Sequence, residues 1–443
     1  MERTLIKDLH EKIGEKVKIS GWISVRRDHG KIVFLDIRER SGFLQCVALP
    51  SHGEAYENAN KVRSEWVVTL EGVVNKRPEK MVVANNPNGD IEMLIEKLEV
   101  LSEAKELPFE IEAELNLDTY LDHLPLTLRR RRARDIFTVQ ETLLDAYRKS
   151  LQSHHFTEFQ APALVGQDAE GGAAAFKVDY YYDQTAYLAT SPQFYKQIMV
   201  GPFERAFTIA KIFRGEKHAT TRHLSELTQM DFEMGFITDH TDVMRVLETV
   251  IRDVVKEVGE KHGEIFERFS VPLPLLGKSF PVLTLKEAQE ILDKEFGATA
   301  LDEPDLEPEH ERQICEWAKK HHVSDFIFIT HFPTKKRAFY TYADEENPEV
   351  SKSFDLLFRG LEINSGSQRI HNYESLISKL KERGFDPEKF SFYLQAFKYG
   401  LPPHGGCSTG LERLTARMLE LPNVKEASAF PRDINRIDTL LSQ

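Results

Sequence analysis

The chain has 443 residues, of which 41% are hydrophobic and 29% charged, a balance that excludes a disordered chain and, at this length, predicts a small domain joined to a large one. The formal net charge of -13 excludes indiscriminate coating of nucleic acid but leaves room for a local basic patch. No stretch approaches the ~20 apolar residues of a membrane helix.

The first residues mix charges with single apolar side chains and carry no signal-peptide pattern, so a cytoplasmic protein is expected. Cys46, Cys315 and Cys407 lie far apart with no zinc-type spacing and read as reduced structural residues.

Between Val17 and Leu101 apolar residues recur with period two. Five short runs, 17–26, 31–38, 43–49, 66–74 and 91–100, predict a small β-barrel in a domain spanning 1–104. In the second run Val33, Leu35 and Ile37 share one face, which leaves Phe34 on the other beside Asp36 and Arg38. A ring on the polar face reads either as a stacking platform for an unpaired base, with Gln45, Arg26 and Arg27 nearby, or as a rim residue under a loop. Residues 105–130 read as a hinge. The basic run 129–132 either touches nucleic acid or leads the next helix in solvent.

From 131 to 443 the pattern is mixed. Residues 136–151 and 241–261 read as helices, the second with a core stripe from Val243 to Val258. Strands are expected at 206–213, 226–236, 326–329, 338–342 and 352–363. Strands in clusters without βαβ alternation predict an α+β fold, an antiparallel sheet flanked by helices. There is no P-loop and no dinucleotide-type glycine fingerprint.

Four segments carry the chemistry. Ser191-Pro192-Gln193, followed by Lys196, forms a strand-to-helix turn. Phe213-Arg214-Gly215-Glu216, a polar loop with Arg222 and His223, and a returning strand from Glu226 to Glu233 make a hairpin able to neutralise phosphate and grip an amine. A solvated hairpin with surface ion pairs is the plainer alternative. Segment 353–371 holds Asp355, Glu362, Ser365 and Arg369. The two carboxylates are seven positions apart and would face opposite ways in one strand, so a turn or bulge near Arg359-Gly360 is required if both are to hold Mg²⁺ with the Ser365 hydroxyl and triphosphate oxygens. Last, the glycine-rich 404–410 turn leads into a helix whose Arg413 can reach phosphate.

In this order and spacing the segments resemble the three motifs of class II aminoacyl-tRNA synthetases, in detail those of the aspartyl subgroup in its compact archaeal form. The resemblance implies an N-terminal OB-fold reading the anticodon through Arg27, Phe34 and Gln45, and a catalytic domain that forms a homodimer through the first motif, from about Ile136 to Pro162. It implies Lys196 and Arg369 as partners of the aspartate side-chain carboxylate, with Asp231, Gln193 and Glu170 holding the amino group and closing the pocket. Arg214 would contact the α-phosphate and Glu216 the adenine amino group. Arg413 would lie over adenine and reach the γ-phosphate, while Arg222 and His223 complete the ATP site beside Glu362. Asp355, Glu362 and Ser365 would hold Mg²⁺. The implied activity is ATP-dependent charging of tRNA(Asp) with L-aspartate, with Arg214 and Arg413 as the catalytic cations.

Ser408 and Ser367 replace usual glycines of the family, and Leu227 stands where many relatives have an adenine-stacking aromatic, so His223 is expected to take that duty. Two positions after Trp22, where the family separates strict from relaxed tRNA choice, the residue is Ser24, which fits neither form. The expectation leans towards relaxed charging of tRNA(Asn) as well. The rival readings are an asparagine–tRNA ligase and an inactive synthetase-like regulator. The aspartate reading also sets a condition: Lys196 and Arg369 must meet in one pocket, with neither capped by an internal acid.

Overall fold

The computed structural model describes residues 1–83, 88–167, 175–217, 220–298, 300–301 and 303–441. They divide into two compact units, Met1–Ala113 and Glu114–Gln443, the division falling inside the segment read as a hinge. That segment also carries two short helices, α2 (Leu117–Asp122) and α3 (Leu124–Thr127) in the chain-order numbering used below.

The first unit is a closed barrel in the order β1-β2-β3-β5-β4, from β1 (Lys16–His29), β2 (Ile32–Glu39), β3 (Gly42–Ala48), β4 (Val67–Lys76) and β5 (Ile91–Ser102), with α1 (Gly53–Lys61) between β3 and β4. The period-two apolar residues form its core: Ile19, Leu35, Ile37 and Leu70 are fully buried. Phe34 lies on the opposite face and is half-buried.

The second unit is built on an eight-stranded sheet in the order β12-β13-β14-β15-β16-β11-β10-β6. Its strands are β6 (Thr157–Glu158), β10 (Arg205–Phe213), β11 (Glu226–Gly235), β12 (Val282–Thr284), β13 (Phe326–Thr330), β14 (Ser353–Phe358), β15 (Leu361–Gln368) and β16 (His404–Gly410). Pairing is antiparallel from β13 to β10, in keeping with the expected antiparallel sheet, and parallel only at the two ends, β12 with β13 and β10 with β6. A separate three-stranded sheet, β7 (Leu164–Val165), β8 (Lys177–Tyr180) and β9 (Gln184–Leu188), precedes α5 (Gln193–Phe203).

Alternation along these strands gives the sheet two unlike faces. One carries Phe207, Met230, Phe232, Phe354 and Leu356 and packs against α4 (Arg131–Ser153) and α6 (His240–Phe269) in the main core. The stripe from Val243 to Val258 lies there, and each such side chain contributes about 1.5–3 kcal/mol by leaving water. An Asp239/Asp242 capping box starts α6. The other face carries Asp231, Glu233, Asp355, Ser365, Ser367 and Ser408. Around it stand α7 (Leu285–Phe296) and α8 (Pro308–His322) towards the β12 end and an aromatic cluster with α9 (Tyr373–Glu382) and α10 (Ser391–Lys398), whereas α11 (Leu411–Met418), directly after β16, buries Leu411, Leu414, Ala416 and Met418 in the main core of the first face.

Two expected strands need correction. Residues 338–342 form no strand; Thr341 makes a single bridge to Arg369. The run 352–363 is a hairpin, turning at Arg359 (φ 46°) and Gly360 (φ 78°), where the left-handed backbone suits glycine.

Candidate active site

A cavity of about 700 Å³ opens on the polar face of the sheet. Five of the basic side chains singled out in the sequence line it, Lys196, Arg214, Arg222, Arg369 and Arg413, together with Lys336, Arg337 and Arg383, which were not singled out. Only three carboxylates, Glu216, Glu362 and Glu412, line it among the described residues. Eight cations thus face the cavity against three carboxylates, but four of the cations are ion-paired behind the wall, Lys196 with Asp231, Arg369 with Glu233, Arg222 with Glu311 and Arg337 with Asp355. The positive surplus rests on the others, a local field suited to phosphate in a chain of net charge -13.

At the cavity floor Lys196 projects from the first turn of α5 and Arg369 from the end of β15. Lys196 Nζ donates to Asp231 Oδ2 at 2.8 Å and to the Cys407 carbonyl at 3.0 Å, and lies 3.6 Å from Glu233. Arg369 grips Glu233 two-fold, Nε to Oε1 at 2.8 Å and an Nη to Oε2 at 3.2 Å, and donates further to the Gly406 carbonyl and to Ser367 Oγ. The two cations therefore meet around one carboxylate. The second half of the sequence condition fails, because each is paired with an internal acid and the floor is neutral in sum rather than cationic. Its cause is the strand period: Asp231 and Glu233 are two apart on β11, so both reach the same face. That spacing was the available signal for Glu233, which sequence reasoning left without a role.

The acids stand behind the cations. Asp231 and Glu233 are 0% exposed and neither lines the cavity, whereas Lys196 and Arg369 both do. Burial pushes the Glu233 carboxyl up, but Arg369 and Lys196 outweigh it and hold the group below the usual carboxylate range. Gly406 is required here, since a Cβ would sit 2.1 Å from Glu233 Oε2. Asp231 was expected to take the substrate amine, yet its Oδ2 is occupied by Lys196 and its Oδ1 by the Ser408 hydroxyl at 2.7 Å.

Gln193 lines the cavity and donates to Gln197 Oε1 at 2.8 Å. Gln197 in turn accepts from the Tyr393 hydroxyl and bonds His404 Nε2 at 2.8 Å. Because His404 Nδ1 donates to the Pro402 carbonyl, Nε2 is the acceptor and the ring is neutral, its pKa lowered by burial to about 4. Glu170 lies outside the described residues.

Asp355 and Glu362 are brought to one face. The turn at Arg359-Gly360 places them on paired strands, and a bulge opposite Leu356/Leu357 shifts the register so that Leu357 pairs with Glu362 while Asp355 pairs with Ser365. Arg337 spans the pair, donating to Asp355 Oδ2 at 2.7 Å and to Ser365 Oγ at 3.2 Å. Desolvation, then the nearby Asp355 charge, raises the pKa of Glu362. Among the described residues Asp355 Oδ1 is buried with no hydrogen-bond partner. Among the described residues no cluster of three or more His, Cys, Asp or Glu side chains could hold a metal, so a cation here needs ligand oxygens from elsewhere.

Around the remaining wall, Arg214 directly follows β10, His223 Nδ1 bonds Thr220 Oγ1 at 2.6 Å, and Leu227 faces the cavity with it. Arg222 is held by Glu311 of α8, whose carboxylate also accepts from the Glu362 amide and whose pKa burial raises to about 7. Arg413, in the first turn of α11, donates to the Glu362 carbonyl at 3.0 Å. The basic run Lys335-Lys336-Arg337 between β13 and β14 was the sequence signal for two of the three missed cations, and Arg383 had none.

On the barrel, Arg27 pairs across strands with Phe34 and donates to both Asp36 oxygens, at 2.7 and 2.8 Å, and to Gln45 Oε1 at 3.3 Å. The three residues singled out there share one patch.

The class II tRNA synthetases (D, K and N) match residues 116–434, and the OB-fold nucleic acid binding domain matches residues 17–101. The chain is 43% identical to the aspartate–tRNA(Asp/Asn) ligase of Thermus thermophilus, over 98% of this chain and 99% of the relative. It is 38% identical to the aspartate–tRNA(Asp) ligase of Pyrococcus abyssi, over 96% of each. Among solved structures, asparaginyl-tRNA synthetase from Pyrococcus horikoshii complexed with asparaginyl-adenylate has a TM-score of 0.90 at 32% identity, covering 99% of both chains. The chain thus belongs to the class II tRNA synthetases of the D, K and N group, with an OB-fold domain at its N-terminal end.

Proposed function

We propose that the protein is an aspartate–tRNA ligase. One observation carries the reading: Lys196 and Arg369 converge on the cavity floor with their acid partners behind them. Arg369 has five N–H groups and uses four; Lys196 has three and uses two in hydrogen bonds. Among the described residues these bonds leave one donor of each, that of Lys196 with Glu233 3.6 Å away, enough for the two oxygens of a side-chain carboxylate. An asparagine amide would turn its NH₂ towards donors with nothing to accept it, which disfavours the asparagine reading on chemistry as the relatives' names disfavour it on similarity. Selection therefore rests on donor geometry, not on net positive charge.

The family uses ATP as substrate. In the first step the aspartate α-carboxylate attacks the α-phosphorus in line and pyrophosphate leaves. Arg214 neutralises the α-phosphate while Arg413 and Arg222 take the outer phosphates, and Glu216 accepts from the adenine amine with His223 and Leu227 against the ring. In the second, the terminal hydroxyl of tRNA attacks the carbonyl of aspartyl-adenylate and AMP leaves. The chain supplies position and counter-charge, and no protein nucleophile is required.

The orphaned Asp355 Oδ1, with Glu362 and Ser365 beside it, suits a hard cation completed by phosphate oxygens, and Mg²⁺ is the ion of this chemistry. When bound it would supply positive charge to the triphosphate. Arg27, Phe34 and Gln45 read the anticodon, Phe34 by stacking. tRNA(Asn) is a second acceptor, supported by the name of the Thermus relative and by the absence of the strict family residue at Ser24. A homodimer acting in the cytoplasm completes the reading. Charging purified tRNA(Asp) and tRNA(Asn) in parallel with aspartate tests it: both are expected to accept aspartate, and failure with tRNA(Asp) rejects the function.

A further inference from the structure

Ser408 separates Asp231 from the cavity. It lies on β16, flanked by Asp231 on β11 and Ser365 on β15, and all three face the same way. Ser408 lines the cavity and is half-buried, while Asp231 behind it is 0% exposed. The Ser408 hydroxyl gives its only proton to Asp231 Oδ1 at 2.7 Å. Its lone pairs are thus left as acceptors on a side chain that lines the same cavity as Lys196 and Arg369 and is backed by a buried carboxylate that polarises them.

We propose that Ser408 Oγ is the direct acceptor for the α-ammonium of the amino-acid substrate, with Asp231 acting through it. This rests on the aspartate reading above. Asp231 then has two duties in one hydrogen-bonded chain: Oδ2 fixes Lys196, which takes the side-chain carboxylate, and Oδ1 orients Ser408, which takes the ammonium. The ammonium and the side-chain carboxylate are recognised by groups tied to a single carboxylate, so their spacing is set rigidly.

The test compares L-aspartate with succinate, a dicarboxylate without the ammonium, as substrate and competitive inhibitor in ATP–pyrophosphate exchange. Ser408→Ala removes the acceptor and leaves a methyl over Asp231. It is expected to raise KM for aspartate by about tenfold while the inhibition constant of succinate and KM for ATP move less than about twofold. Ser408→Gly uncovers Asp231 for direct contact and is expected to recover most of the loss. An equal shift for aspartate and succinate, no shift for either, or a glycine variant as impaired as the alanine variant overturns the inference. Absence of aspartate-dependent exchange in the unaltered protein would reject the function itself, a separate outcome.

Discussion

Glu233 touches both cations of the cavity floor, 2.8 Å from Arg369 and 3.6 Å from Lys196, with no exposed atom of its own. A buried carboxylate shared this way is a scaffold for donors. Glu233→Gln should leave Arg369 without its counter-charge, cost about 3–5 kcal/mol of stability in denaturant unfolding, and raise KM for aspartate at least about tenfold. Unchanged stability would mean that the pair is not the anchor described.

Arg413 reaches from α11 to the Glu362 carbonyl and presents charge to the cavity, on the side proposed for the phosphates. Arg413→Ala should lower the rate of adenylate formation by about 10²–10³-fold, the usual cost of one preorganised donor, while leaving the unfolding midpoint close to that of the parent. Single-turnover measurement of adenylate formation checks this.

Removing divalent cations with EDTA is expected to abolish pyrophosphate exchange, and Mg²⁺ to restore it. Asp355→Asn keeps the shape but weakens the ligand, so half-saturation by Mg²⁺ should move upward by roughly tenfold or more. An unaltered Mg²⁺ titration would remove Asp355 from the cation site.

His404 is held neutral, with a pKa lowered from 6.5 to about 4 by burial. The unfolded chain then binds more protons than the folded one between these values, so this group's contribution is complete above about 6.5 and declines as the pH falls towards 4, by ~3 kcal/mol in total. His404→Gln should therefore show a stability deficit that shrinks across that window. Glu311, raised to about 7, works in the opposite sense, losing stability as the pH rises from 4.5. Denaturant unfolding of the single variants at pH 5 and pH 7 separates the two.

Phe34 is half-buried on the polar face of β2, opposite Arg27. Phe34→Ala should raise KM for tRNA by about tenfold or more, the worth of one base–aromatic stack, and leave pyrophosphate exchange unaltered. A loss in both assays would assign Phe34 to folding instead.

Local periodicity made the barrel, the α6 stripe and the hairpin from β10 to β11 legible, because each depends on residues near in sequence. Lys196 and Arg369 were legible as cations, but their partners were not weighed: the i, i+2 relation of Asp231 and Glu233 was visible and its consequence for the floor charge was missed. The meeting of Asp355 with Glu362 required a bulge opposite Leu356/Leu357 that no local residue type announces. Arg337 and Glu311 come from segments remote in sequence, and only the fold brings them to the cavity. Ser408 was visible as a departure from the family pattern, whereas its bond to Asp231 was not.

In the proposed site two remaining donors, one from Lys196 and one from Arg369, choose a carboxylate over an amide. Pyrophosphate exchange with L-aspartate and with L-asparagine at matched concentrations measures this choice directly. A preference for aspartate of about 10²-fold or more in kcat/KM is predicted; equal rates, or faster exchange with asparagine, would contradict it.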